Sequence, residues 1–188
     1  NQAGALVHVY TDGSIHLNHG GTEMGQGLYT KVAQVVSSVF QVDIEHVKIS
    51  ATRTDKVPNT APTAASAGSD LNGMAAFNAA EEIRLRMASV VGEYFGVPVN
   101  EIEFRQNRVY AGNESLSFAD TALMTWNHRV SLSATGYYRT PDISWDSETM
   151  TGSPFYYFTY GASVTEVAID TLTGESRVLS ADILQDVG

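Results

Sequence analysis

The chain has 188 residues, no cysteine, and 11 basic against 21 acidic side chains, for a formal net charge of −10. Those counts exclude thiolate metal centres and a cysteine nucleophile within it, and they argue against nucleic acid, whose phosphates need a basic face. With 43% apolar and 17% charged residues, seven Phe, nine Tyr and two Trp, the chain reads as globular, able to bury about 70% of its unfolded surface without a staple.

Ala5 to Tyr10 alternates, with Ala5, Val7 and Val9 on one face, and Ile15 and Leu17 continue the alternation. Asp12-Gly13 between the two runs predicts a hairpin, with the type I′ turn that needs φ > 0 at both central residues. A glycine-rich loop, Gly20 to Gly27, precedes a helix carrying Leu28, Val32, Val35, Val36 and Val39 at helical spacing. Val42, Ile44, Val47 and Ile49 lead into a short strand. The pattern recurs 55 residues later. Ile83, Met87, Val90, Val91 and Tyr94 lie on the helical template, Phe95 answers Phe40, and Val97, Val99, Ile102 and Phe104 answer the strand approach. Duplication and two helices docked on one sheet under similar constraints both account for this. Arg105 to Ala111 predicts a hairpin around Gln106-Asn107, and Ser117 to Trp126 a short helix capped by Ser117 or Ser115. The tail is strand-rich: Phe155 to Asp170 alternates, Thr171 to Gly174 turns, and Arg177 to Leu184 returns. The expectation is an α+β fold of two similar helix–strand units plus β-hairpins. It forms one domain over 1–188, with sub-units at about 1–60 and 61–111 and a strand-rich tail at 130–188. No run is apolar for long enough to span a membrane. The start at Asn1 and the close at Gly188 read as a piece of a longer protein.

Two segments place small residues where the chain enters a helix: the glycine loop, and Val57 to Asp70 with Ala64-Ala65-Ser66-Ala67-Gly68. A helix N-terminus offers unpaired N–H groups and partial positive charge, so each is a candidate anion or cofactor contact. Gly25-Gln26-Gly27 lacks the third glycine of a dinucleotide fingerprint and the Gly-Lys-Ser/Thr of a phosphate loop. The plainer reading is a tight turn, with Glu23 as a cap. His16 and His19 form an HxxH pair, but residues three apart on a strand face opposite sides and share no ion. His8, His46 and His128 are scattered, and Ser66 lacks a nucleophile elbow. Glu81, Glu82, Glu101 and Glu103 read as solvated faces. The Tyr137-Tyr138-Arg139 and Phe155 to Phe158 runs read as strand core and interface.

Particular strings carry a resemblance. Gly20-Gly21-Thr22-Glu23-Met24-Gly25-Gln26-Gly27-Leu28 and Thr60-Ala61-Pro62-Thr63-Ala64-Ala65-Ser66 resemble the molybdenum-binding part of the xanthine dehydrogenase family. So do Gly136 to Pro141, Pro154 to Gly161, Thr171 to Glu175 and Asp182 to Gly188, so the likeness covers essentially the whole chain. The glycine string is shared across molybdenum hydroxylases. Tyr-Tyr-Arg-Thr-Pro and Pro-Phe-Tyr-Tyr-Phe point more narrowly to the xanthine dehydrogenase branch.

The resemblance implies a molybdenum–molybdopterin cofactor whose own dithiolene holds the metal, so no residue here is expected as a metal ligand. It implies that Met24, Gly25 and Gln26 lie against the pterin and its phosphate. Ala64, Ala65 and Ser66 would line the molybdenum pocket, with Ala64 and Ala65 shaping the substrate side. The implied activity is hydroxylation of hypoxanthine and xanthine to urate, in purine catabolism, with electrons leaving through 2Fe-2S clusters and FAD in other domains or subunits. The Gly-Glu-Pro-Pro-like segment that carries the family's base is absent, as are the Gly-Gly-Gly-Phe-Gly-Gly loop and the substrate-orienting arginine and glutamate. No catalytic residue is therefore expected in this chain. It reads as an inactive fragment from the C-terminal half of a molybdenum subunit, in a cytoplasmic, oligomeric parent. The rivals are another molybdenum hydroxylase, acting on aldehydes or N-heterocycles, and a self-contained module that holds a small anion at the two helix starts.

Overall fold

The computed structural model describes residues 1–186; Val187 and Gly188, which end the last of those strings, lie outside the described residues. Asn1–Thr140 forms one compact unit and the residues from Pro141 onward a second.

In the first unit, β1 (Gln2–Val9) pairs antiparallel with β2 (Ile15–His19), Val9 opposite Ile15. The alternation puts Ala3, Ala5, Val7, Val9, Ile15 and Leu17 on one face, all buried. The turn between the strands is not type I′. Of its residues only Gly13 has positive φ (+83°), and its N–H donates to the Tyr10 carbonyl. The Asp12 carboxylate instead accepts from the N–H and hydroxyl of Ser14, so a side chain rather than a second left-handed residue closes the loop.

The first helix, α1 (Leu28–Phe40), buries Leu28, Val32, Val36 and Phe40, and β3 (Val47–Ile49) runs parallel to β2. The second, α2 (Gly68–Phe95), buries Ile83, Met87, Val90 and Val91, but Tyr94 points outward at 61% exposure, edge-on to Phe95. The 55-residue period reappears in the hydrogen bonding. Gln41 and Gly96 are both left-handed, at φ +55° and +68°. The N–H of Val42 donates to Ser37 O and that of Val97 to Gly92 O, the same helix-ending bond in both. Next come the 3-10 turns Ile44–His46 and Val99–Glu101, with matching bonds from His46 to Asp43 and from Glu101 to Pro98.

The repeat ends there. After the second turn, β4 (Ile102–Arg105) pairs with β5 (Arg108–Ala111), and β5 with β6 (Glu114–Ser117), in a separate three-stranded sheet. The type I′ signature belongs to the β4–β5 turn, where Gln106 and Asn107 have φ of +50° and +62°. Asn107 also bonds both the backbone and the carboxylate of Asp43, which locks this hairpin to the end of α1.

The third helix, α3 (Phe118–Asn127), is capped by the Ser117 hydroxyl, which accepts from the Asp120 N–H at 3.0 Å. Strand β7 (Ser133–Arg139) then completes a sheet ordered β3-β2-β1-β7. Ala75, Ala76, Ala79 and Ala80 line α2 where it crosses this sheet, and all are fully buried. Their small side chains let the helix lie close to β7.

The second unit consists of two hairpins, β8 (Ser144–Asp146) with β9 (Thr151–Ser153), and β10 (Gly161–Ile169) with β11 (Ser176–Gln185). The alternation read from Phe155 becomes strand only at Gly161. Phe155, Tyr156, Tyr157 and Phe158 are not strand core; each is at least half exposed, and they meet one another edge-on in two pairs. No helix among the described residues is long and apolar enough to cross a membrane.

Candidate functional site

The loop between β2 and α1 is built around an internal anion. Glu23 Oε1 accepts from the N–H groups of Gly25 and Gly27, and Oε2 accepts from that of Tyr29. A carboxylate therefore already occupies the N-terminus of α1, the position where an outside anion was expected. These donors, Tyr29 first and then Gly27 and Gly25, hold its pKa below the ordinary carboxylate value. Gly25 and Gly27 have φ of +99° and +77°, and a Cβ at either would meet nothing within 4 Å. Conformation demands glycine here, and the ground above the loop is open.

Gln26 is also spent on the loop. Its Nε2 donates to Thr22 O at 2.9 Å and its Oε1 accepts from the Met24 N–H at 2.6 Å. Its amide shapes the loop that carries Met24, which is itself 69% exposed.

Long-range bonds bring the second segment alongside. The Thr22 N–H donates to Thr63 Oγ1 at 2.9 Å. Gly68, the first residue of α2, sits against Leu28, the first of α1. Thr52, from the connection after β3, donates its hydroxyl to the carbonyls of Gly21 and His19 and meets the Tyr29 hydroxyl at 3.1 Å. The two helix starts therefore share one surface. Ala64, Ala65 and Ser66 lie exposed on it, with Ala65 held at φ +52°.

Beneath that surface lies His19, 1% exposed. Its Nδ1 accepts the Gly21 N–H at 3.1 Å, and burial pushes its pKa down to about 4, against a smaller opposing pull from Asn72. The HxxH reading holds in one respect, since His19 is buried while His16 lies half-buried on the other side of the strand. The histidines are less scattered than the sequence suggests: His8 stands across from His16 in the β1–β2 ladder, with rings stacked 5.9 Å apart. Among the described residues, no three His, Cys, Asp or Glu side chains gather as a metal site.

Sequence reasoning missed Thr22, Thr52, Thr63, His19 and Asn72 as builders of this site. The HxxH spacing drew notice to His19, and Thr22 and Thr63 stood in the two strings that carry the resemblance without a role of their own. Threonines bonded across 31 to 41 residues leave no local pattern.

A family model described as molybdopterin cofactor-binding domain matches residues 1–188. The chain is 49% identical over 188 residues to a xanthine dehydrogenase of Oryza sativa subsp. japonica and 47% identical to a xanthine dehydrogenase/oxidase of Felis catus. Each match covers all of this chain, which spans only 12 to 13% of the length of those relatives. Among solved structures, reconstituted CO dehydrogenase from Oligotropha carboxidovorans superposes with a TM-score of 0.81 at 22% identity, over 99% of this chain and 22% of that one. Quinoline 2-oxidoreductase from Pseudomonas putida 86 gives 0.78 at 21% identity, over 100% and 23%. At such identities these likenesses speak for the fold.

Proposed function

From the premise that the chain belongs to the molybdopterin cofactor-binding domain family, we propose that its two helix starts form one wall of the cofactor site in a larger oxidoreductase. The parent is read as a xanthine dehydrogenase-like enzyme that hydroxylates hypoxanthine and xanthine to urate, in the cytoplasm, as part of purine catabolism. The observation that carries this is the bond from Thr22 to Thr63, which sets the glycine loop beside the Ala64-Ala65-Ser66 segment.

The residues suit such a group. The open ground over Gly25 and Gly27, next to three exposed small side chains, admits a flat polar molecule close to the backbone. When bound, molybdopterin supplies a redox-active molybdenum held by its own sulfur atoms. Met24, Gly25 and Gln26 are assigned to its pterin side, Gln26 acting chiefly by fixing the loop. Ala64 and Ala65 keep the reactive side free of bulk, and Ser66 offers a hydroxyl for one hydrogen bond. These residues bind and shape; none is placed to take a proton from a substrate. The base, the rest of the cradle and the 2Fe-2S and FAD centres are assigned to other parts of an oligomeric parent, and this chain alone is expected to be inactive.

The self-contained anion module is the weaker reading, because Glu23 fills the α1 start that it would use. The sequence relatives favour the xanthine branch over one acting on aldehydes or N-heterocycles.

The test is xanthine turnover by the full-length parent carrying Ala65→Leu. A leucine on this exposed segment should leave folding intact while intruding on the cofactor's side, lowering turnover about 100-fold. Unaltered turnover in Ala65→Leu and in Gln26→Ala would overturn the assignment.

A further inference from the structure

We infer that His19 is a positioning residue for the cofactor wall: as a neutral imidazole it pins the glycine loop at Gly21 and, across Asn72, holds that loop against the first turns of α2. This rests on the reading of the two helix starts as a cofactor site.

The hydrogen bonds fix the tautomer. A backbone N–H only donates, so Nδ1, which accepts from Gly21, carries no proton and Nε2 does. Nε2 and Asn72 Oδ1 are both buried with no hydrogen bond made among the described residues, and the Asn72 side chain acts on the ring against the effect of burial. The other end of that amide is committed, since Asn72 Nδ2 donates to Gly68 O at 2.8 Å. One side chain from α2 thus addresses both His19 and the first residue of its own helix.

The ring cannot swing away. Tyr29 meets it edge-on at 5.3 Å, and the Thr52 hydroxyl holds the His19 carbonyl from a third segment. There is no slack at Gly21 either, where an added Cβ would lie 2.6 Å from Leu28 and 2.8 Å from Asn72. A protonated ring would set an Nδ1–H against the Gly21 N–H, donor against donor, in a site closed to water. The device works only with a bare Nδ1.

The experiment compares His19→Asn, His19→Gln and His19→Leu in the full-length parent. An asparagine amide oxygen reaches the Nδ1 position, a glutamine amide reaches toward Nε2, and leucine fills space without an acceptor. Amide exchange over residues 20–27 is read in enzyme made without cofactor. Pterin content is read, as the fluorescent oxidised product, in enzyme made with it. Losing the buried acceptor should speed exchange in the loop about tenfold in His19→Gln and His19→Leu, and lower pterin content about fivefold, while His19→Asn stays near wild type in both. His19→Asn should also keep the higher thermal midpoint.

Wild-type exchange in His19→Leu, or a His19→Asn enzyme no better than His19→Leu, overturns the role of His19 whatever the cofactor does. Faster exchange with full pterin content shows the pin to be real but the loop not to hold the cofactor, and so overturns the reading on which the inference rests.

Discussion

Replacing Gly136 by alanine tests how rigidly α2 is seated on the sheet beneath the site. Gly136 lies in β7 opposite Ala5, and its backbone is not left-handed, so alanine is acceptable locally. The obstacle is the helix: an added Cβ would overlap the Ala75 carbonyl oxygen and lie 2.6 Å from Ala79 N and 3.1 Å from the Ala75 carbonyl carbon. All three are backbone atoms, so no side chain can turn aside.

Restoring ordinary contact at about 3.6 Å to the Ala75 oxygen, the tightest of the three, requires α2 to lift by well over about 1 Å. A gap of only about 0.5–1 Å already forfeits about a quarter to a half of each contact's dispersion energy. The contacts at risk are those of Ala75, Ala76, Ala79, Ala80 and Ile83, all fully buried. Overpacking costs about 1–3 kcal/mol, and rigid backbone on both sides places this case near the top, less about 0.5 kcal/mol regained from the unfolded chain. The expected loss is about 2.5 kcal/mol. Urea unfolding of the purified chain would show it as a midpoint lower by about 1 M at unchanged slope. A loss below about 0.5 kcal/mol would refute the reasoning, since the helix would then be free to drift on its sheet.

Three further outcomes are expected. The pKa of His19 is about 4 in the fold against an ordinary 6.5, so the folded state binds fewer protons between those values. Stability is then full above pH 6.5 and falls by about 3 kcal/mol as pH drops toward 4; urea midpoints across that range should slope less in His19→Asn, and an equal slope would contradict the burial. Glu23→Gln replaces one acceptor oxygen by a donor, so exchange at the Gly25, Gly27 and Tyr29 amides should quicken, and in the unmodified chain the same amides should loosen as pH falls below the ordinary carboxylate range. Ser117→Ala removes the cap of α3 and should cost about 1 kcal/mol in the same unfolding assay, whereas Ser115→Ala, lacking that bond, should cost less.

Local rules carried far in this chain. The helices and their core stripes followed from 3.6-residue spacing, the Ser117 cap from its place before Phe118, and the 55-residue echo from apolar positions that proved to share a helix-ending geometry. The errors share a cause. The Asp12-Gly13 turn was decided by a side-chain bond to Ser14 that a dipeptide rule ignores. The strand expected from Phe155 begins only at Gly161, where β11 provides a ladder to pair with, and alternation alone does not supply one.

The residues in chain order gave the α+β class and the two small-residue segments at helix starts, from apolar spacing and from the left-handed backbone that calls for glycine at Gly25 and Gly27. The family came from the likeness of the quoted strings. Tertiary structure alone decided that these segments adjoin, that Glu23 fills the α1 start, and that His19 is a buried acceptor. Each of those facts depends on which N–H groups are left over when the chain has folded. A donor at Thr22 finds its acceptor 41 residues away at Thr63, and nothing in the residues between them records the meeting.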